Sequence, residues 1–271
     1  MFTYPDIDPI AFAIGPLQVR WYGLMYLAGF AFGWLGARSR ARRADSPISP
    51  ARLDDLVFYV AIGVIAGGRI GYMLFYNFGT LIDDPISILR INEGGMSFHG
   101  GLLGVLIAMG FFARSVGQPY FAVTDFIAPW VAPGLGFGRI GNFINGELWG
   151  APARPGAFWA VVVDGVPRHP TQLYEACLEG LALFLILWGF SRRARPIMAV
   201  SGLFLFCYGA FRVSVEFVRL PDVHMNVAEG GYLAFGWITM GQVLSAPMIL
   251  IGIAFFWWAY HKPRYVAHKS V

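Results

Sequence analysis

Seven stretches of predominantly apolar residues, near 19–37, 55–78, 100–113, 123–145, 173–190, 199–218 and 240–260, follow one another with short polar connections between them. Most approach the ~17 to 25 residues that a helix needs to cross the hydrocarbon of a bilayer. Such a chain has more apolar surface than one water-soluble core can bury. Only 13% of its 271 residues are Asp, Glu, Lys or Arg and 57% are hydrophobic, against about 25% charged residues in ordinary soluble domains. In lipid each backbone polar group must be satisfied within its own segment, which selects helices. The expected fold is therefore all-α, a polytopic membrane protein with about seven transmembrane helices. It is read as a single integral membrane domain over 1–271 with a small periplasmic head insertion over 146–172. Pro129, Pro133 and a run of glycines predict that the fourth span is broken.

The net charge of +4 does not indicate nucleic acid, because the basic residues form short clusters and no continuous stripe. Arg38, Arg40, Arg42, Arg43, Arg52, Arg114, Arg192, Arg193, Arg195, Lys262, Arg264 and Lys269 all fall on one side of a seven-span topology. Asp6, Asp8, Asp83, Asp84, Glu93, Asp164, Asp222 and Glu229 fall on the other. The positive-inside rule then puts the N-terminus outside and the C-terminus in the cytoplasm. The first fifteen residues lack a basic region, so they do not read as a cleaved signal peptide. Cys177 and Cys207 lie in apolar segments and are expected to be buried small hydrophobes, with no disulfide or metal site and no cofactor.

Polar residues inside the spans carry the functional signal, because ionisable groups are costly there. Arg69, Arg139 and Arg212 each fall roughly 10 to 14 Å below the outer end of their helices at about 1.5 Å per residue. They are expected to converge on one level. Tyr22, Tyr26, His99, Asn142, Asn145, Glu147, His169, Gln172 and Glu175 share that outer half. Tyr208, Arg212, Glu216 and Arg219 recur at i, i+4, i+8 and i+11, one polar face on an apolar helix. Ion pairs holding helices in register, such as Arg212 with Glu216, are the structural alternative. The functional one is a cationic pocket open to the outer leaflet that grips an anionic headgroup, since guanidinium holds phosphate through paired hydrogen bonds. No Ser-His-Asp or metal-ligand spacing accompanies it, so an attacking atom would arrive with the substrate.

Gly136, Gly138 and Gly141 spell GxGxxG, but without a βαβ unit this is no dinucleotide fingerprint; in a membrane helix small residues serve close packing and local unwinding. The longer string GRIGNFINGELWG, from Gly138 to Gly150, is far more specific. With WYGLMY at 21–26, GGRIGY at 67–72, GGMSFHGG at 94–101, RHPTQLYE at 168–175 and GAFRVSVEFVRLPD at 209–222, it closely resembles the prolipoprotein diacylglyceryl transferase family along nearly the whole chain. The resemblance implies an enzyme of the inner membrane that moves the diacylglyceryl unit of phosphatidylglycerol onto the lipobox cysteine thiol of a prolipoprotein signal peptide. A thioether forms and glycerol phosphate leaves. Tyr22, His99, Arg139, Asn142, Glu147, Gly150 and Arg212 are the positions that the family motifs mark. Tyr26, Arg69, Glu175 and Glu216 join them as supporting members of the substrate-binding set.

Within that reaction Arg139 and Arg212 are assigned to the phosphate and its growing charge, Asn142 and Tyr22 to the headgroup, and Glu147 to an arginine, the glycerol hydroxyls or a structural helix end. His99 is the expected base, although it could also cap a helix or contact lipid, and the arginine field could itself lower the thiol pKa. The competing classes are a phospholipid or ion transporter, which would show repeated halves with broken helices near the midplane, and a noncatalytic lipoprotein-binding chaperone, which needs no phosphate-level arginines.

Overall fold

A computed structural model describes residues 2–15, 17–91, 94–154, 156–220, 235 and 237–265. Glu93, Asp222, Glu229 and Lys269 of the topology argument lie outside the described residues. Seven long helices occupy the expected stretches: α1 (Trp21–Ala41), α2 (Leu53–Phe75), α4 (Phe98–Ser115), α5 (Tyr120–Ile144), a continuous Thr171–Phe190 helix, α8 (Ala199–Glu216) and α9 (Met240–His261). A short helix α3 (Phe78–Asp83) follows α2. The Thr171–Phe190 helix is built from α6 (Thr171–Glu175), a π-helical stretch (Ala176–Ala182) and α7 (Leu183–Phe190). Among the described residues, five helices are long and apolar enough to cross a membrane: Pro50–Phe75, Phe98–Ser115, Thr171–Phe190, Ala199–Glu216 and Met240–His261.

The expected break in the fourth span does not occur. Helix α5 runs unbroken through Pro129 and Pro133. Each proline removes one N–H and leaves a carbonyl one turn back without its donor, a loss that apolar helices tolerate through neighbouring groups and local adjustment. Helix starts follow side-chain chemistry. The Ser97 hydroxyl accepts from Gly100 N at 3.2 Å at the head of α4. Thr239 and Gln242 form a reciprocal capping box at the head of α9, satisfying donors that the first turn leaves open.

Two compact units emerge among the described residues, one from 2–37 with 127–265 and the other from 38–126. In the first, the N-terminal strand β1 (Phe2–Thr3) pairs in parallel with β4 (Val161–Val163), which forms a hairpin with β5 (Val166–Arg168). These three strands form one small sheet. A second hairpin joins β2 (Ile10–Ile14) to β3 (Leu17–Arg20) ahead of α1. Ala128, Ala132, Leu183, Leu187, Val200 and Cys207 form a buried cluster among α5, α7 and α8. Cys207 fits its expectation, whereas Cys177 is exposed on its helix.

In the second unit α2 and α4 meet along glycines. A Cβ at Gly67 would lie 2.4 Å from Gly100 O, and one at Gly104 would lie 2.0 Å from Gly63 O. Backbone therefore touches backbone, the close approach that small residues permit in membranes. Gly67→Val should cost ~1–3 kcal/mol through overpacking and lower the thermal midpoint in detergent by several degrees. Gly79→Val, where a Cβ meets nothing within 4 Å, should leave that midpoint unchanged.

Candidate active site

The string read as a signature folds into a helix end and a tight reversal. At the close of α5, Gly146 takes φ 68°, a left-handed conformation that glycine adopts without a Cβ penalty. Gly146 N donates to Phe143 O at 3.1 Å and Glu147 N to Asn142 O at 3.1 Å, the bond pair of a Schellman motif. The reversal turns the Glu147 side chain back onto the helix. Its Oε1 accepts from Asn142 Nδ2 at 2.8 Å and from Asn145 Nδ2 at 3.3 Å.

Neighbouring segments fix this turn. Gln172 Nε2 donates to Glu147 O, and Thr171 Oγ1 donates to Leu148 O at 2.8 Å. Gly150 N donates to His169 O at 2.9 Å. A Cβ on Gly150 would lie 2.6 Å from Val218 O and 2.6 Å from Thr171 Cγ2, so Gly150 is tightly packed between these segments. Tyr4 anchors the other side, its hydroxyl 3.0 Å from Phe143 O and 2.7 Å from Ile144 O. Burial pushes the Tyr4 phenol above its ordinary pKa, so it remains a donor.

Arg139 sits one turn before Asn142 on α5 and reaches α6, where its Nε lies 2.5 Å from Glu175 Oε2. The other oxygen of the same carboxylate is 3.3 Å from Arg212 Nη1 on α8. Arg212 also meets Glu216 Oε2 through Nη2 at 3.0 Å and Glu179 Oε1 through Nη1 at 4.0 Å. Arg219 Nη1 closes the row at 3.8 Å from Glu216 Oε2. Three helices from distant stretches of sequence are tied at one buried carboxylate, Glu175, 2% exposed. Several of these contacts are close without being aligned hydrogen bonds: Glu175 Oε2, Glu216 Oε2, both Glu179 oxygens and Arg212 Nη1 have no hydrogen-bond partner among the described residues. They are pairs of opposite charge held together by distance.

The expected cationic pocket is thereby corrected. Three guanidiniums, Arg139, Arg212 and Arg219, face three carboxylates, Glu175, Glu179 and Glu216, and the cluster is balanced by formal charge. The predicted Arg212–Glu216 pair exists within it. Arg139 keeps a quarter of its side chain accessible against 11% for Arg212. Its Nη1 touches Asn142 Oδ1 at the outer limit of 3.5 Å, so its fork remains available to a ligand. Glu179 was missed by the sequence reading. It is an acid four residues after Glu175 inside an apolar span, a signal as strong as the one that marked Glu175.

Tyr22 and Tyr26 stack edge to face with their hydroxyls 3.2 Å apart. A Cβ at Gly141 would come within 2.7 Å of the Tyr22 ring, and one at Gly136 within 3.0 Å of Gly180 Cα. Two glycines of the GxGxxG string thus pack helices together, as expected; the unwinding does not appear.

Arg69 and His99 belong to the second unit. The Arg69 side chain is held by main-chain carbonyls of its own unit. Nε donates to Ile88 O at 3.1 Å, Nη1 to Gly94 O at 2.5 Å and Gly95 O at 3.3 Å, and Nη2 to Ser87 O at 2.5 Å. With its donors taken by main-chain carbonyls and 5% exposure, it clamps the turns after α3. His99, in the first turn of α4, is exposed and touches the Phe98 ring edge to face. Ser97, not His99, caps the helix.

The family model described as prolipoprotein diacylglyceryl transferase matches residues 9–258. The chain belongs to this family. A phosphatidylglycerol–prolipoprotein diacylglyceryl transferase of Methylococcus capsulatus is 60% identical over 266 residues, covering 97% of this chain and 99% of the relative. Enzymes of the same name from Oleidesulfovibrio alaskensis and Pseudomonas aeruginosa are 55% and 56% identical, covering 100% of both chains and 97% of both chains respectively. In this diacylglyceryl transferase family member, Glu175 bridges the two arginines that the motif strings mark.

Removing that bridge should be expensive. Glu175→Ala leaves two guanidiniums without their shared partner and should destabilise by ~3–5 kcal/mol. Glu147→Ala loses only amide contacts at an exposed side chain and should stay within about 1 kcal/mol. Thermal unfolding in detergent distinguishes the two.

Proposed function

We propose that this protein transfers the diacylglyceryl group of phosphatidylglycerol to the lipobox cysteine thiol of prolipoproteins, forming a thioether and releasing glycerol phosphate. The observation that carries the chemistry is the Arg139–Glu175–Arg212 bridge, which fixes two guanidiniums beside the polar side chains of Asn142 and Glu147. Sulfur attacks the glyceryl carbon that bears the phosphate ester; the C–S bond forms as the C–O bond breaks, and the bonding pair leaves on the phosphate oxygen. Preorganised cations stabilise that charge without reorganising during the step. Arg139 presents its accessible fork to the phosphate, and Arg212 supplies the buried charge behind it.

Asn142 and Tyr22 orient the headgroup. Glu147, exposed beside Asn142, accepts from the glycerol hydroxyls. The thiol proton passes to the exposed imidazole of His99, which makes no hydrogen bond among the described residues. The protein is embedded in the bacterial cytoplasmic membrane through seven crossings, α1 and α5 completing the five most apolar ones. The periplasmic side carries the N-terminus, the site and the sheet over 146–172, and the C-terminus is cytoplasmic. The transporter alternative expects helices broken at the midplane, whereas α5 is continuous.

Pure protein incubated with phosphatidylglycerol and a lipobox peptide should raise the peptide mass by one diacylglyceryl unit, and an unchanged mass rejects the assignment. Arg139→Lys keeps the charge but loses the planar fork, and should reduce transfer at least tenfold. His99→Gln should flatten the pH dependence of turnover between pH 6 and 9, the range that brackets imidazole and thiol titration; an unaltered profile removes histidine from the chemistry.

A further inference from the structure

The carboxylate row has more members than a structural bridge requires. Glu175 engages two arginines at 2.5 and 3.3 Å, and Glu216 engages Arg212 at 3.0 Å and Arg219 at 3.8 Å. Glu179 has a single approach, 4.0 Å to Arg212 Nη1. It is fully buried, and neither oxygen has a hydrogen-bond partner among the described residues. It sits in the only π-helical stretch among the described residues, Ala176–Ala182, the kind of local widening that recurs at functional sites.

The charge balance gives this residue a task. With all six groups ionised, Arg139, Arg212 and Arg219 cancel Glu175, Glu179 and Glu216. A phosphodiester entering such a low-dielectric cluster adds one uncompensated negative charge, which is unfavourable unless a proton or cation accompanies it. Every element packed against Glu179 contributes to the balance: Glu175 on α6, Arg139 on α5, and Tyr208, Arg212 and Glu216 on α8, with Arg219 just beyond. Of the three buried carboxylates, Glu179 forfeits least by becoming neutral, since its one guanidinium contact is the longest. Once neutral it also stops competing for Arg212 Nη1.

We propose that Glu179 is a positioning residue that takes up one proton as an anionic phosphodiester binds and so releases Arg212 Nη1 to the phosphate. When glycerol phosphate leaves, Glu179 loses that proton and pulls Arg212 back into the balanced row. This rests on the phosphatidylglycerol reading of the site but adds a proton-linked binding step to it. Glu179 touches neither the thiol nor the reacting carbon in this scheme.

The test is calorimetric titration of the full-length protein in detergent with phosphatidylglycerol, without peptide, in two buffers of different ionisation enthalpy from pH 6 to 9. Wild type should take up one proton per lipid where Glu179 is ionised, with Kd weakening about tenfold per pH unit there. Glu179→Gln, a neutral isostere, should bind with a pH-independent Kd and no proton uptake, tighter than wild type at pH 9. Diacylglycerol, which lacks the phosphate, should cause no uptake in either protein. Absence of proton uptake by wild type, or an identical uptake by Glu179→Gln, overturns the proposal. The wild-type measurement stands even if the variant fails to fold. The peptide-mass assay separates the two levels: transfer without proton uptake defeats only the role of Glu179, whereas no lipid binding and no transfer defeats the functional reading beneath it.

Discussion

A carboxylate buried in an apolar helix bundle, gripped on both oxygens by arginines from different helices, is the contact on which the site depends. Isolated, any one of Arg139, Glu175 or Arg212 would be costly to desolvate; together they offset one another. The price is geometric: α5, α6 and α8 must hold their side chains to within tenths of an ångström, which continuous helices do better than loops. Gly136 against Gly180 brings α5 and the π stretch into backbone contact, and that closeness lets Arg139 reach Glu175. Fixed guanidiniums are then available to a phosphate without paying for their own alignment at each turnover.

The turn from Asn145 to Gly150 extends the same logic to the headgroup. A left-handed Gly146 folds Glu147 back onto Asn142, and Gln172, Thr171 and Tyr4 hold the reversed chain from two sides. These anchors come from two distant regions of sequence, Tyr4 and the Thr171–Gln172 pair. The turn is thus a rigid extension of α5, and the polar groups of the signature string face one another because of a hydrogen-bonding pattern that a single glycine permits.

Much of this was legible beforehand. The seven apolar stretches lie within four residues of the seven long helices, because length and hydropathy are local properties that lipid enforces. Depth counting picked out Arg139 and Arg212, the polarity of the outer half Glu175, and helical spacing Glu216. It did not foresee the carbonyls after α3 that hold Arg69, since depth along a helix says nothing about the direction a side chain takes. It overlooked Glu179 and read a bare cationic pocket, because pairing distances decide whether an arginine is solvated by carboxylates. Gly150 carried a motif signal, but only coordinates reveal that Thr171, His169 and Val218 fill the space beside it. Pro129 and Pro133 suggested a break that the α5 backbone absorbs.

The central claim is that Arg139 holds the lipid phosphate while Glu175 holds Arg139. Solid-state NMR of guanidino-15N-labelled protein in bilayers containing phosphatidylglycerol measures that contact directly as a 15N–31P distance. The account predicts a coupling from the Arg139 terminal nitrogens corresponding to about 4 Å, the separation of a paired guanidinium and phosphate, lost on Arg139→Lys. A 31P signal with no coupling to Arg139, under conditions where the lipid is bound and turned over, would contradict it.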